Sequence, residues 1–189
     1  MHTIEHFGNW MNLYNSSKDP NSPFYGKEVN YDVFQYALYD HYIAPGWDSF
    51  GSETLYLKVL FADYMNGFVI IELIGEWNDA VYNDISVLKN EVIDFFLEQE
   101  INHFILIGEN VFNFHGSDDS YYEEWDSELE GDGWIVALNF RDFILQEWER
   151  MGLSQYLFYG EFLDLPEWRT LTPLQVYKKV LDQMNRLIS

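Results

Sequence analysis

Eight carboxylates and no basic residue fall between positions 118 and 132, inside the run His115-Gly116-Ser117-Asp118-Asp119-Ser120-Tyr121-Tyr122-Glu123-Glu124-Trp125-Asp126-Ser127-Glu128-Leu129-Glu130-Gly131-Asp132. Oxygen-rich clusters of this kind suit calcium or magnesium. The nearest approach to a calcium loop is Asp126-x-Glu128-x-Glu130-Gly131, and it lacks the bidentate acid at its end, because its twelfth position is Ala137. No metal is expected from this spacing. It fits a solvated acidic helix start, where the positive end of the macrodipole favours carboxylates. His115, Ser117 and Asp118 are the residue types of a hydrolase triad, but triad members come from separate parts of a chain and there is no Gly-x-Ser-x-Gly elbow. Gly108-Glu109-Asn110 follows an apolar run yet lacks the repeated glycines and lysine of a phosphate loop. His41 and His103 border apolar segments and read as structural histidines. No catalytic residue and no cofactor are expected.

Composition narrows the function classes further. The 189 residues contain no cysteine, which excludes disulfides, thiolate chemistry and cysteine zinc sites. Lys plus Arg number 10 against 32 Asp plus Glu, a net charge of −22. Such a charge repels nucleic-acid phosphates and anionic lipid and leaves a basic protein as the expected partner. Six of the ten basic residues lie at or after Arg141, so the middle of the chain is uncompensated. The first residues lack the basic-then-apolar order of a secretory signal, and the longest apolar stretch, 68–74, is broken by Glu72 and falls short of the ~20 residues a membrane helix needs. A cytoplasmic protein is expected.

The elements that would carry these residues can be read in order. Residues 1–53 are rich in Asn, Ser, Gly, Pro and aromatics and read as an N-terminal embellishment of one α/β domain spanning 54–189. Tyr31, Phe34, Leu38 and Tyr42 alternate spacings of three and four, which predicts a short helix over 31–42. Trp10, Tyr14, Phe24, Tyr25 and the tyrosines that follow exceed what a loop-rich stretch easily buries, so they either cover the sheet or meet another chain. Residues 54–65 read as a strand, Asn66-Gly67 as a hairpin turn, and 68–74 as the returning strand, with Gly75 closing it. A helix follows, with Ile85, Leu88, Val92, Phe95 and Phe96 in period and Asp84 as its N-cap. Residues 103–108 form a buried-strand run, and strand–helix–strand in this order implies a right-handed parallel crossover. A short helix over 120–129, a strand over 134–140, a helix over 142–151 ended by Gly152, and a final short strand over 156–159 complete the pattern. The last helix starts with Thr172 as cap and Pro173 in its first turn, and its stripe Leu174, Tyr177, Leu181, Met184 and Ile188 is expected to dock on the sheet.

The fold class expected is therefore α/β, with a mixed, mostly parallel sheet, an N-terminal antiparallel hairpin and packed helices. That order, carried by 68–75 leading into 85–96, then 103–108, then the loop and helix start at 115–125, resembles the STAS domain (sulfate transporter and anti-sigma-factor antagonist) and its SpoIIAA-like relatives over about 54–189. The resemblance implies a non-enzymatic binding or regulatory module. It also implies a phosphorylated serine at the start of the second helix, in an Asp-Ser-Ser/Thr-Gly motif. Here that place holds Asp119-Ser120-Tyr121-Tyr122, which keeps the Asp-Ser pair and lacks the small residue and the glycine. A phosphate on Ser120 would gain from helix N–H groups and be opposed by the neighbouring carboxylates; the other role for Ser120 and Ser117 is capping. The competing reading is a small-ligand carrier or enzyme. Its site would lie beyond the C-terminal strand ends, at Glu109, Asn110, His115, Asn139 and Arg141.

Overall fold

The computed structural model describes residues 2–32 and 36–188. Its main sheet has four strands, β4 (Leu55–Asp63), β5 (Phe68–Asn78), β6 (His103–His115) and β7 (Trp134–Leu138), in the order β4-β5-β6-β7. β4 and β5 are antiparallel, and β5, β6 and β7 are parallel, so the expected mixed, mostly parallel sheet with an antiparallel hairpin is what forms. A second, three-stranded sheet has the order β1-β3-β2, from β1 (His2–Ile4), β2 (Tyr36–Leu38) and β3 (His41–Ile43).

The apolar runs are continuous because both faces of the main sheet are covered. Strand side chains alternate between faces. Val69, Ile71 and Leu73 of β5, with Phe104 and Leu106 of β6 and Ile135 and Ala137 of β7, face one layer. That layer contains the helical stretch α2 (Asp84–Leu88), a π turn (Lys89–Ile93) and α3 (Asp94–Leu97), together with α4 (Ser120–Ser127) and α5 (Asp142–Met151). Phe68 and Ile70, with Ile105, Ile107, Trp134, Val136 and Leu138, face the other layer, made by Trp10, Leu163, Leu165, Trp168 and α6 (Pro173–Ile188).

α6 docks as its stripe requires, through Val176, Tyr177, Val180 and Met184, while Leu174 is exposed. Its start is a reciprocal cap: Thr172 Oγ1 accepts from Gln175 N–H, and Gln175 Oε1 accepts from Thr172 N–H at 2.9 Å. Both edges of the main sheet are closed by single bridges, Asp48 to Leu57 on β4 and Phe158 to Val136 on β7. Covering edges in this way limits pairing with other chains.

Four expectations need correction. Residues 36–43 form the β2–β3 hairpin and not a helix, with Tyr39 at φ 52 in its turn. The aromatic spacing there satisfies a helical and a strand reading alike, and pairing with distant β1 selects the strand; Phe34 lies outside the described residues. Residues 156–159 supply a lone bridge and no strand. Asp84 does not cap its helix. A short helix, α1 (Asp79–Tyr82), comes first, Asn83 at φ 53 breaks it, and the Asp84 carboxylate turns back to accept Asn78 N–H at 2.7 Å. Finally, Gly75 does not close β5, which runs on to Asn78.

The physical reason lies in the approach of the chain before β4. Gly75 has φ +125, and a Cβ there would sit 2.0 Å from the Thr54 carbonyl oxygen. Glu76 N–H donates to that same oxygen at 2.9 Å, so the close approach is part of the pairing. Gly75→Ala is expected to destabilise the protein by about 3 kcal/mol or more, from a backbone region closed to side chains plus a backbone collision. Urea unfolding with an unchanged midpoint would show that the strand can shift to make room.

Candidate functional site

The sheet buries two carboxylate clusters, one on each face. On the α6 face, Glu72 stands in mid-strand on β5, 1% exposed. Its Oε2 accepts Phe7 N–H at 2.8 Å, and its Oε1 lies 3.6 Å from the Arg169 guanidinium. Arg169 also pairs with Glu109 of β6, and its guanidinium carbon sits over Trp168, 4.6 Å from the ring centre. Glu109 Oε1 accepts from Trp168 Nε1 at 2.9 Å and from Asn139 Nδ2 at 3.1 Å. Asn139, at φ 57, binds the same segment with its backbone and its side chain: its N–H donates to Asp164, and its Oδ1 accepts Leu165 N–H at 2.8 Å. Phe7, Trp10 and Trp168 close the cluster, with ring centres 4.8–5.6 Å apart. Two segments far apart in sequence, 7–10 and 163–171, thus cross over one buried carboxylate.

The other cluster lies at the end of β5. Asp79 accepts from Trp77 Nε1 at 3.0 Å, from Ile85 N–H at 2.9 Å and from Tyr122 OH at 2.7 Å. These bonds tie β5, α2 and α4 together. Burial pushes the Asp79 carboxyl up to about 6, against the pull of those donors. Burial likewise pushes Glu72 up to about 7, although the Phe7 N–H and Arg169 favour its charged form.

Of the residues expected beyond the strand ends, Glu109 and Asn139 come together. Both spend their polar atoms on the 163–169 segment. Asn110 pairs with Ile74 in the ladder, half-buried. His115 is exposed, with Nε2 3.0 Å from Asn113 Nδ2. Arg141 is exposed and sits over the Phe112 ring at 5.2 Å. Ser120 is exposed at the first position of α4. Its N–H and hydroxyl both donate to Asp118, so its side chain acts as a donor there and not as a cap. Sequence reasoning missed Glu72, Arg169 and Trp168. The signal for Glu72 was present, as a lone acid inside an apolar run.

A third cluster underlies the acidic segment. Lys89, in the π turn, is 1% exposed and its ammonium binds Asp94 and Glu128, with Glu124 at 3.8 Å. Burial works to lower its pKa, and the two carboxylate hydrogen bonds outweigh that and raise it. π turns inside helices often mark functional positions.

No family model and no curated protein matches the chain. Solved structures do give a likeness. The chain is similar to the phosphorylated form of the Bacillus cell fate determinant SpoIIAA, at 17% identity and a TM-score of 0.43, over 66% of this chain and 98% of that one. Among the described residues, no group of three or more His, Asp or Glu is placed to hold a metal ion, and no helix is long and apolar enough to cross a membrane.

Glu72 sets a pH dependence whose sign follows from linkage. Its folded pKa lies above the ordinary carboxylate value of about 4.5, so the folded state holds the proton more tightly than the unfolded state. The stability this gives is present in full below about 4.5 and is lost as pH rises through about 7. Glu72→Gln keeps an acceptor for Phe7 N–H and removes the buried charge. The variant is expected to lose this pH dependence and to be more stable than the parent by about 3 kcal/mol at pH values well above 7, at roughly 1.4 kcal/mol for each pH unit between about 4.5 and about 7. Parallel pH–stability profiles for parent and variant would show that Glu72 does not titrate in this window.

Proposed function

We propose that this chain is a non-enzymatic binding or regulatory module of the cytoplasm that recognises a basic protein partner through the face made by α4 and the segment leaving it. One observation carries the reading. Between residues 90 and 140 there are 13 Asp and Glu and no Lys or Arg. Of the two cations that flank this stretch, Lys89 is buried beneath α4 and spent on Asp94 and Glu128, and Arg141 is exposed at its far end, over the Phe112 ring. Glu123, Glu124, Glu130 and Asp132 remain exposed on the surface above Lys89. Such a face attracts a basic protein over long range and repels nucleic-acid phosphates. Ser120 borders the face. Modification there would add charge next to Asp118 and so strengthen the negative field locally.

A small-ligand site is the alternative, and one feature favours placing it over mid-strand Glu72: that buried carboxyl, raised to about 7, lies under an Arg169 side chain that is 43% exposed. A thermal shift with a metabolite that vanishes in Arg169→Ala would support it.

The test of the leading reading changes Asp118, Glu123, Glu124 and Glu130 to Asn or Gln and leaves Glu128, which holds Lys89, in place. Partners recovered by pull-down at low salt are expected to be lost from this variant and from the parent above about 0.5 M salt, where the Debye length shrinks toward a few Å. Recovery of the same partners regardless of salt and of the four changes would sink the reading, and so would tight DNA or RNA binding at physiological salt.

A further inference from the structure

Glu72 is buried without enough positive charge to match it. Lys58 stands opposite it on β4, but the Lys58 ammonium is turned to Asp48, 3.2 Å from its Oδ2. Arg169 reaches Glu72 and also pairs with Glu109, so two carboxylates share one guanidinium. His6, next to Phe7, adds no charge at neutral pH, because burial first and Lys58 second hold its imidazole below the ordinary value. The charged and titratable groups around Glu72, from the strands beside it and the two segments above it, are therefore Lys58, Glu109, Arg169 and His6. Those two segments are held unequally. The 163–171 segment buries Leu163, Leu165 and Trp168 and is bound by Asn139 through Asp164 and Leu165, and by Glu109 through Trp168. Residues 5–13 bury one side chain, Trp10, while Glu5, Gly8, Asn9, Met11, Asn12 and Leu13 are exposed. Their backbone hydrogen bonds close on the segment itself, from Met11 N–H to Gly8 and from Leu13 N–H to Trp10. What holds the segment down is the Phe7 N–H on Glu72, Trp10 Nε1 on the Leu171 carbonyl at 3.0 Å, the Phe7 and Trp10 rings on Trp168, and His6 edge-on to Trp47.

Segments with few buried apolar contacts open at a lower free energy than the core. Opening 163–171 takes Arg169 away from an ionised Glu72. Opening 5–13 gives up one N–H bond to it, admits water and leaves Arg169 in place. We propose that residues 5–13 are a cover over Glu72 that loosens as pH rises toward neutrality, while the 163–171 segment stays closed. The sign follows from linkage. Under the cover, burial raises the Glu72 carboxyl to about 7, and in water it returns toward the ordinary 4.5. The covered state holds the proton more tightly, so opening becomes easier by up to about tenfold for each pH unit between about 4.5 and about 7, and levels off above. His6 has the opposite sign: its pKa is lowered under the cover, so on its account acid favours opening. Asp79, the other carboxyl raised by burial, lies on the far face of the sheet and is covered by α2 and α4. The open state bares the Trp168 indole, on which both rings of the cover rest. This device is independent of the acidic face and of any partner.

The experiment follows amide hydrogen exchange of the full chain by NMR from pH 5 to 8. Each rate is divided by that of an unstructured amide at the same pH, so that the direct effect of hydroxide cancels. Protection of the Phe7 amide is expected to fall by up to about tenfold for each unit as far as pH 7 and then to level. At every pH Phe7 is expected to exchange faster than Leu165, which reports the 163–171 segment, and faster than Leu106 of β6, which reports global unfolding. Glu72→Gln is expected to reverse the slope at Phe7 into a slight rise with pH, the sign His6 gives alone. His6→Gln, which leaves Glu72 in place, is expected to steepen the fall. Phe7 protection that is flat or rises in the parent overturns the proposal without any variant, and so does a fall that persists in Glu72→Gln. Exchange of Leu165 as fast as that of Phe7 means that both segments open together, and exchange of Phe7 as slow as that of Leu106 means that only global unfolding uncovers Glu72; either result also overturns it.

Discussion

The central strand has no exposed face, and the rest of the structure answers to that constraint. Residues of β5 from Phe68 to Ile74 are buried on both sides, so each polar group the strand carries must find a partner inside the protein. Glu72 is the severe case. An ionised carboxylate removed from water costs several kcal/mol unless it is paired and hydrogen-bonded. Its partners come from neither neighbour strand. They come from Phe7 and from Arg169, which is why two segments distant in sequence must cross at this point. Phe7, Trp10 and Trp168 then pack on one another over it and keep water out. The same strand ends in Trp77, Asn78 and Asp79, whose bonds to α2 and α4 fix the helical layer on the other face.

How much of this was legible in the sequence depends on where the deciding partner lies. The parallel strands could be read because two-sided burial writes them as unbroken apolar runs, as at 103–108 and 134–138. α5 and α6 could be read because their ends are local chemistry: Gly152 at φ 75 closes one, and Thr172 with Gln175 opens the other. The β2–β3 hairpin could not. Three-residue strands carry too few side chains to separate a period of two from one of three and a half, and the selection is made by β1, more than thirty residues earlier. Gly75 was read as a stop because glycine stops many strands; here it admits the carbonyl of Thr54, a contact that a linear pattern does not record. The candidate site divides the same way. Glu109 reads as following a strand that ends at Gly108, but β6 runs on to His115, so it stands in mid-strand; Asn139 directly follows β7. Trp168 and Arg169, 59 and 60 residues from Glu109, sit in a segment without periodicity and were missed.

The charge distribution has a structural side as well. Thirteen acids without a base between 90 and 140 create repulsion that weakens the compact state. Lys89 relieves part of it from beneath, since one buried ammonium meets Asp94 and Glu128 and lies close to Glu124. An exposed lysine would gain little from such pairs and would offer its charge to solvent. Burial makes each contact stronger, and it hides the positive charge from an approaching partner. The surface therefore stays negative while the acids that set the positions of α3 and α4 are held. This is why Glu128 and Asp94 belong to the fold, while Glu123, Glu124 and Glu130 are left to the surface.

The two ends of the sheet are consequently unlike. Beyond the end of β7, Asn139, and beside it Glu109 in the middle of β6, are engaged by the 163–169 segment, whose indole, guanidinium and backbone groups occupy their oxygen and nitrogen atoms. At the N-terminal ends, the His103, Trp134 and Tyr177 rings pack on one another, and Trp134 and Tyr177 are buried against α6. The difference follows from how the connections run. The chain after β7 passes through α5, returns as the 163–171 segment across the upper half of the sheet, and only then enters α6, which descends past Tyr177 to Met184 on the same face. A segment that covers one end cannot cover the other, and a helix leaves more room beside the strand starts than a strap with its own indole does. Polar groups are thus consumed where the strap lies, and aromatic rings are buried against one another where the helix passes.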